Sequence, residues 1–408
     1  MQKERFVIIS YVPTLAVENG FLPQLLLRGL SVTILTDHNL EHASLSDKVE
    51  VLSCNVSNPI DVITTIHNNN IKPLAIFSNS DHLQASTSVV AEFYKLPTKS
   101  WSACLLAKNK SLMRQKLLDY NLSNIWQYTI QDVNDLNNIL CDLDYPLVAK
   151  PCCGVASLGV KKIFSQAELV EYYNYFWKNN ELSQTAIDHT KNALILEKYV
   201  SGDIYSLETL GDSQNLCVLG GFKAKLSEPP YFIETGAKWI SSFPRSIQDK
   251  LTYSLKKLDI NFGSCHTEFS VDDNDNVEII EINYRSAGDQ KEFILNNIYS
   301  KQYFNAVIDV YLGKKISPLT ARFNASEISY LVAQSEGVIT ESPDYLSFES
   351  IDLNTCFIPI KNRGDAIEIT NSNKDYLGIF HVSGTDEQSV HNINNQRQKE
   401  LNWEIAHA

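Results

Sequence analysis

Residues 278–288 are the stretch of this sequence whose side chains are best suited to chemistry, and they read Glu-Ile-Ile-Glu-Ile-Asn-Tyr-Arg-Ser-Ala-Gly. Their apolar residues predict a strand. Because side chains alternate between the two faces of a strand, Glu281, Asn283 and Arg285 are expected on the same face. The sequence therefore brings together a carboxylate, an amide and a guanidinium.

A second carboxylate, Glu268, is predicted to join this face from a neighbouring strand over residues 265–271. If Asp273 to Asn276 form a four-residue hairpin loop, Glu268 lies directly opposite Glu281. Two carboxylates opposed across a strand pair normally repel each other, and a cation between them relieves the repulsion. Carboxylate and amide oxygens suit Mg²⁺ that is also held by substrate phosphates, with Mn²⁺ as the alternative ion. The competing interpretation is an exposed hairpin with solvated carboxylates.

The composition narrows the class of protein. A chain of 408 residues predicts two to four domains. An apolar content of 44% and a charged content of 20% are typical of a soluble globular protein. The 35 basic and 48 acidic residues give a net charge of −13, and no run of Lys and Arg forms a basic stripe. Nucleic acid is therefore not expected as a partner.

The sequence shows no targeting or membrane signal. Its N-terminus lacks the long apolar region of a signal peptide, and no apolar run approaches the length of a membrane span. A cytoplasmic protein without membrane partners is predicted. The eight cysteines have no metal-ligand spacing, so they are expected to be free thiols, and no zinc site is predicted.

The N-terminal residues 1–98 alternate short apolar strands with segments compatible with helices. This pattern is typical of a parallel sheet with crossover helices. The predicted strands cover residues 5–10, 31–36, 49–53 and 73–77, and the predicted helices lie near 20–29, 59–69 and 82–94. No glycine fingerprint follows the first strand, which argues against NAD.

A basic segment follows from residue 96 and is strongly helical. Its cations are Lys108, Lys110, Arg114 and Lys116. Such a cluster usually forms one solvated helix face, but Lys110 can also serve a polyphosphate.

A loop suited to phosphate follows within residues 145–163. A strand ends at Lys150, a loop with Gly154, Ser157 and Gly159 follows, and a second strand resumes after it. Glycine lets successive backbone N–H groups converge on phosphate oxygens, and Lys150 adds a cation at the base of the loop. The spacing is not that of a P-loop, and a plain hairpin is the alternative interpretation.

The next strand, after a helix predicted over 166–179, breaks into a turn within residues 194–202. Another strand is predicted over residues 204–210. The backbone at such a break can offer an N–H and a C=O to the edge of a purine.

The chain resembles the ATP-grasp enzymes over about residues 1–310. The resemblance rests on an ordered set of segments, namely Lys110, the loop at 150–160, residues 197–202, Glu268 and residues 281–288. It implies ATP clamped between two α+β subdomains under a flexible glycine-loop lid.

The implied fold class is α/β and α+β, an ATP-grasp fold with an N-terminal Rossmann-like domain and a small β-rich C-terminal appendage. The expected divisions are the Rossmann-like domain at 1–98, the small subdomain with its lid at 99–200, the large subdomain at 201–314 and the appendage at 315–408.

The resemblance assigns the phosphates and the adenine of the nucleotide to three groups of residues. Lys110 and Lys150 would bind the ATP phosphates, and the loop at Ser157 and Gly159 would close over them. Adenine would be received by the hinge residues Glu197, Lys198, Tyr199 and Val200.

The ribose site departs from the family pattern. Many relatives have a ribose-binding glutamate where this chain has Ile204, so Asp203 is the expected substitute. At the other end of the nucleotide, Glu268, Glu281 and Asn283 match the magnesium ligands of the family.

The resemblance also implies groups that act on the substrate. Arg285 and Gly288 match those that steady an acyl phosphate and its oxyanion. Residues 221–236 resemble a segment of the L-amino-acid ligases and related carboxylate–amine ligases, in which Lys225 would reach the γ-phosphate and Glu234 would lie near the substrate. The aromatic residues Tyr231, Phe232 and Trp239 suggest an apolar wall near the acceptor, although aromatic residues also commonly fill a core.

The implied activity is that of an ATP-dependent carboxylate–amine ligase. It phosphorylates a carboxylate, joins the acyl phosphate to an amine and releases ADP and phosphate. Small carboxylate and amine (amino-acid) substrates and a homodimer are the expected partners. The expected pathway is small-peptide or specialised-metabolite biosynthesis, for example of a siderophore or a peptide antibiotic. Two alternatives stay open, carboxylation of the biotin-carboxylase kind and a degenerate nucleotide-binding module without turnover.

Overall fold

The computed structural model describes residues 2–38, 47–186 and 189–406. Its N-terminal part is a parallel sheet with helices. Its elements are β1 (Lys3–Ile9), α1 (Leu22–Leu27), β2 (Val32–Thr36), β3 (Val49–Ser53), α2 (Pro59–Asn68), β4 (Ile71–Phe77) and α3 (Gln84–Phe93). The strands pair in the order β3-β2-β1-β4. Phe6 and Ile8 enter one apolar cluster and Val7 and Ile9 another, so both faces of the sheet are covered. The predicted parallel sheet is confirmed.

The second part is built on a four-stranded antiparallel sheet in the order β5-β8-β6-β7. Its elements are α4 (Trp101–Lys108), α5 (Lys110–Asp119), β5 (Gln127–Ile130), α6 (Val133–Ile139), β6 (Leu147–Pro151), β7 (Lys161–Ile163), α7 (Gln166–Lys178), α8 (Asn180–Ser183) and β8 (Leu194–Lys198). The basic helical segment is broken at Asn109, whose side-chain oxygen accepts a hydrogen bond from the Leu112 N–H at 3.1 Å and caps α5. This break turns Lys110 toward the loop between β6 and β7.

The remaining chain forms a nine-stranded sheet, a small three-stranded sheet and four helices. Its elements are β9 (Asp203–Asp212), β10 (Leu216–Leu226), β11 (Glu234–Ile240), α9 (Arg245–Lys257), β12 (Phe262–Val271), β13 (Val277–Asn283), α10 (Lys291–Ile298), α11 (Tyr303–Tyr311), β14 (Ala325–Val332), β15 (Gly337–Glu341), β16 (Leu346–Glu349), β17 (Leu353–Pro359), β18 (Ala366–Ile367), β19 (Tyr376–Gly384), α12 (Glu387–Glu400) and β20 (Glu404–Ala406). The nine strands follow the order β13-β12-β9-β10-β11-β14-β19-β17-β16.

The C-terminal part is rich in strands, as predicted, but most of these strands extend the central sheet. β14 pairs with β11 through Gly236↔Ser329 and Ala237↔Ile328, and β19, β17 and β16 continue from it. Among the described C-terminal strands, only β18, β15 and β20 form a sheet of their own. Within the described ranges no helix is long and apolar enough to cross a membrane.

The hairpin of β12 and β13 pairs Glu268 with Glu281, as predicted, but its loop length and its register differ from the prediction. Next to the turn Val271 pairs with Val277, so the loop has five residues rather than the predicted four. The register then shifts by one residue between Glu268 and Phe269, where a bulge leaves Ile280 without a direct partner. The bulge compensates for the longer loop and restores the opposition of the two carboxylates.

Candidate active site

A cavity of about 400 Å³ lies between the glycine loop, the β5-β8-β6-β7 sheet and one end of the nine-stranded sheet. This volume is in the range of small-molecule sites. Most of the residues predicted from the sequence line it together, namely Lys110, Lys150, Ser157, Glu197, Lys198, Tyr199, Val200, Glu234, Glu268, Glu281, Asn283, Arg285 and Gly288.

One end of the cavity carries the predicted metal ligands. The Asn283 Nδ2 lies 3.5 Å from Glu268 Oε1, and Glu281 faces Glu268 across the strand pair. Lys110 Nζ lies 2.8 Å from Glu281 Oε1, so this carboxylate already forms an ion pair with a cation. In the part of the chain that the structure describes, no three His, Cys, Asp or Glu side chains converge on a metal position. A divalent cation here would therefore rely on two carboxylates, one amide and substrate phosphates, which are the ligands Mg²⁺ accepts.

A buried histidine supports this end, and the sequence reasoning missed it. His266 Nδ1 lies 2.6 Å from Glu208 Oε1 on β9, and its Nε2 lies 3.3 Å from Glu268 Oε1. Burial lowers the pKa of His266, but the two carboxylates outweigh burial and raise it to about 9. Burial likewise raises the pKa of Glu268, and the His266 hydrogen bond outweighs it and lowers the pKa to about 2. The spacing of His266 and Glu268 two apart on a strand was the available signal.

The glycine-loop end carries a buried charge cluster. Glu197 accepts contacts from Lys150 Nζ at 2.6 Å and from Arg114 Nε at 3.1 Å. Burial raises the pKa of Glu197, but these two cations lower it overall. Arg114 also donates to the carbonyls of Ile279 at 2.8 Å and Ile280 at 3.1 Å, which are the bulge of β13. The interpretation of the basic cluster as a solvated helix face is thus wrong for Arg114, whose side chain is 2% exposed.

The side chain of Arg285 is held from the N-terminal sheet. Its Nε lies 2.5 Å from Asp81 Oδ2, in the short turn after β4, and its Nη1 donates to the Ser286 carbonyl at 2.7 Å. A Cβ added at Gly288 would lie 3.5 Å from Arg285 Nη1, so the guanidinium and this glycine are neighbours. Asp81 was not predicted, because no local pattern connects it with a residue 204 positions away.

The part of the cavity wall formed by β11 and α10 contains a buried ion pair. Glu234 Oε1 lies 2.7 Å from Lys291 Nζ, and both side chains line the cavity. Lys291 begins α10 and was also missed by the sequence reasoning. Apolar residues of β10 and of the loop that follows it, Phe222, Ala224, Leu226 and Phe232, complete this wall.

Five predicted residues are not among the described residues that line the cavity: Gly159, Asp203, Lys225, Tyr231 and Trp239. Gly159 lies within the glycine loop between the lining residues Leu158 and Val160, and Tyr231 precedes the lining residue Phe232. These two positions are therefore adjacent to the site rather than part of its wall.

The other three lie away from the cavity for clear reasons. Lys225 is exposed, because its neighbours Ala224 and Leu226 occupy the strand face that lines the cavity. Trp239 is a core residue, 4% exposed. Asp203 pairs with Lys223 at 2.6 Å on the surface, while the cavity wall carries Ile204. The predicted contacts of Lys225 with phosphate, of Trp239 with substrate and of Asp203 with ribose are not supported.

A comparison with protein families matches the middle of the chain to a known domain. Residues 143–292 match the family described as the ATP-grasp domain. This part of the chain is therefore similar to the ATP-grasp domain, and the resemblance predicted from the sequence is confirmed there.

The whole chain shares its fold with solved ligases and carboxylases. An L-amino acid ligase from Bacillus licheniformis superposes with a TM-score of 0.82 at 18% identity, covering 100% of both chains. The biotin carboxylase domain of the 2-oxoglutarate carboxylase from Hydrogenobacter thermophilus, a dimer solved with MgADP and bicarbonate, gives a TM-score of 0.68 at 15% identity, covering 100% of this chain and 91% of that one.

One relative is similar in sequence, the uncharacterized protein y4rH of Sinorhizobium fredii (strain NBRC 101917 / NGR234). It is 20% identical over 272 residues, which are 65% of this chain and 54% of that protein. The match thus spans about half the length of the relative. At these identities the solved structures establish the fold.

Proposed function

We propose that the protein is an ATP-dependent ligase that joins a small carboxylate to an amine through an acyl phosphate. The observation that carries this proposal is one cavity that gathers Lys110 and Lys150, the Glu268, Glu281 and Asn283 donors, and Arg285. An ATP-grasp domain with these groups has what phosphoryl transfer to a carboxylate requires, since that chemistry depends chiefly on positioning and electrostatics.

The residues at each end of the cavity take distinct parts. Lys150, fixed by Glu197, and Lys110 bind the phosphates of ATP, whose adenine rests on the backbone of 197–200. Glu268, Glu281 and Asn283 would hold Mg²⁺, which when bound neutralises charge on the phosphates.

Arg285 and the backbone N–H of Gly288 stabilise negative charge that develops on the acyl phosphate and on the tetrahedral intermediate. The glycine loop excludes water from the acyl phosphate, which would otherwise be hydrolysed. The amine attacks from the acceptor end, where the Glu234–Lys291 pair and the apolar wall orient it.

The substrates are proposed to be amino acids or other small acids and amines, condensed in small-peptide or specialised-metabolite biosynthesis. A homodimer and a cytoplasmic location remain predictions. The acceptor wall of Phe222, Ala224, Leu226 and Phe232 favours an apolar side chain beside the ion pair.

Replacement of Glu281 by Gln tests the proposal, because it removes one charge from the metal end and keeps the size of the side chain. We expect ADP release in the presence of amino acids to fall by about 100-fold or more, the usual effect of removing a group that stabilises transition-state charge. Glu278→Gln is the matched control, since it removes the same charge from the same strand outside the cavity wall.

The assay scans pairs of amino acids and other acids for ADP release and for a condensed product by mass spectrometry. The proposal is wrong if Glu281→Gln keeps full carboxylate-dependent ADP release. ADP release that requires bicarbonate instead of an amine would support carboxylation. Absence of turnover with tight ATP binding would support the nucleotide-binding module.

A further inference from the structure

A short helical turn, Asn373–Asp375, brings the C-terminal part of the chain to the cavity wall. Ser372 precedes the turn as its cap and is fully buried, and Asp375 is 4% exposed. The Thr370 Oγ1 donates to Asp375 Oδ1 at 2.6 Å, and the Thr370 N–H donates to the same oxygen at 2.9 Å. The turn is therefore fixed by its own hydrogen bonds before it meets the rest of the site.

Asn373 contacts both sides of the cavity. Its backbone N–H donates to the carbonyl of Ala156 in the glycine loop at 2.9 Å. Its side-chain Oδ1 accepts from the backbone N–H of Glu234 at 3.0 Å. The next residue, Lys374, lies 3.4 Å from Glu181 of α8, in the same part of the chain as the loop.

The glycine loop needs such an external partner. Ala156 and Ser157 have φ values of +58° and +55°, so two consecutive residues with side chains adopt the left-handed conformation. Such residues persist only where surrounding contacts hold them. Asn373 supplies one of these contacts at the residue where the left-handed run begins.

We propose that Asn373 is a positioning residue that latches the glycine loop over the cavity and at the same time fixes the backbone that carries Glu234. The inference rests on the proposed function in one respect, the reason for closure: the latch keeps water from the acyl phosphate while the acceptor amine enters. The C-terminal part thereby completes a site whose other residues all come from the first three quarters of the chain.

Two substitutions at Asn373 separate its two contacts. Asn373→Ala removes the side-chain acceptor and keeps the N–H that binds the loop. Asn373→Pro removes both. Proline fits here because Asn373 is the first residue of a helical turn and Ser372 is extended, with φ −144° and ψ 178°. Val133→Pro is the matched control, since it also places proline at the first residue of a helix behind an extended cap, Asp132.

Hydrogen exchange of the full chain with a non-hydrolysable ATP analogue and Mg²⁺ tests the latch without turnover. Loss of one hydrogen bond should shift the closed–open balance of the loop by about fivefold. We expect amides of residues 152–160 to exchange about fivefold faster in Asn373→Pro, and at wild-type rates in Asn373→Ala and Val133→Pro. Equal rates in all four proteins, each with a native melting transition, would overturn the latch.

Turnover gives the second readout, the ratio of amide product to ADP. Asn373→Pro should release severalfold more ADP per product, because an open loop lets water reach the acyl phosphate. Asn373→Ala should keep the ratio and raise KM for the substrate beside Glu234 by about fivefold. An unchanged ratio in Asn373→Pro together with faster exchange would overturn the role in excluding water. A wild-type protein without any ADP release would refute the proposed function, while the exchange result still decides whether the latch exists.

Discussion

Buried charges at the cavity are fixed by partners from other elements. Glu197 joins Lys150 of β6 to Arg114 of α5, and Arg114 in turn binds the bulge of β13 through Ile279 and Ile280. A buried charge that loses its partner typically costs about 3–5 kcal/mol. Removing Glu197 would therefore disturb the fold as well as the site. Glu281, whose side chain is 23% exposed, is the better position for testing activity.

His381 provides a prediction about pH that is independent of the cavity. It is buried in β19, and its Nδ1 has no hydrogen-bond partner among the described residues. Burial, with a smaller contribution from Lys301, lowers the pKa of His381 to about 4. Above pH 6.5, the ordinary pKa of histidine, neither folded nor unfolded protein binds this proton. As the pH falls from there towards 4, the unfolded chain binds it first, so the free energy of unfolding decreases.

The expected loss at pH 5 is about 2 kcal/mol relative to pH 7.5, from 1.4 kcal/mol per pH unit below 6.5. Urea unfolding of the wild type and of His381→Leu at both pH values measures it. Protonation of carboxylates lowers the free energy of unfolding of both proteins. The difference between their losses therefore isolates the contribution of the histidine. An equal loss in wild type and variant would contradict the prediction.

The residues found from the sequence are those with a local pattern. Glu281, Asn283 and Arg285 occupy alternate positions on one strand, and the glycines of residues 150–160 indicate the loop. Arg114, Asp81, Lys291 and Glu208 carry no such pattern, because their partners lie far away along the chain. Lys225 shows the opposite failure: the motif places it in a strand, but the strand's alternation turns it to the outer face.

At the scale of elements, strands and helices followed the hydrophobic pattern closely, and the errors lie at irregularities. The bulge at Ile280 could not be predicted, since nothing in the local sequence distinguishes a five-residue loop with a bulge from a four-residue loop without one. The break at Asn109 likewise depends on a cap that competes with a continuous helix.

Gly159 gives a prediction at this scale, because the shape of the glycine loop depends on it. Its φ is +70°, and an added Cβ would lie 2.6 Å from Leu182 Cδ2 and 3.2 Å from the Tyr172 hydroxyl. Gly29 has nearly the same φ, +74°, with nothing within 4 Å of an added Cβ. Both Gly→Ala variants pay the left-handed backbone cost of about 1 kcal/mol, and only Gly159→Ala adds a clash.

We therefore expect Gly159→Ala to lower the free energy of unfolding by about 1–3 kcal/mol more than Gly29→Ala, as overpacking in a dense region usually does. KM for ATP should also rise in Gly159→Ala alone, since we propose that the loop closes over the phosphates. Denaturant unfolding and steady-state kinetics measure the two effects. Equal destabilisation by the two substitutions would show that the loop can relax around the added methyl group.

At the scale of the whole molecule, the parts of the chain are joined by shared cores as well as by the site. Phe21 of the N-terminal part packs on Phe304 of α11, with ring centroids 4.8 Å apart. The C-terminal strands extend the nine-stranded sheet, and their turn at Asn373 reaches the cavity. The nine-stranded sheet therefore includes strands of both the predicted large subdomain and the predicted appendage.

The contact of Asp81 with Arg285 connects the N-terminal part of the chain to the proposed active site, and its importance can be tested. The two groups lie 2.5 Å apart, with side chains 20% and 18% exposed. Asp81→Ala removes the partner that orients the guanidinium but leaves the proposed nucleotide-binding residues in place. We expect kcat to fall by about 10- to 100-fold, the range for loss of a group that positions a catalytic residue, while the affinity for an ATP analogue, measured by calorimetry, stays within about twofold of wild type, since that change equals less than one ordinary hydrogen bond.

The kcat of Asp81→Asn should lie between those of the wild type and Asp81→Ala, because the amide oxygen can still accept a hydrogen bond from Arg285 Nε but carries no charge. Asp61→Ala is the matched control, an exposed carboxylate of the same sheet domain in the first turn of α2. If Asp81→Ala weakened ATP binding as strongly as it lowered kcat, Asp81 would be supporting the nucleotide site as a whole. If kcat were unchanged, Arg285 would be oriented by its Ser286 contact alone, and the N-terminal sheet would act only as a scaffold.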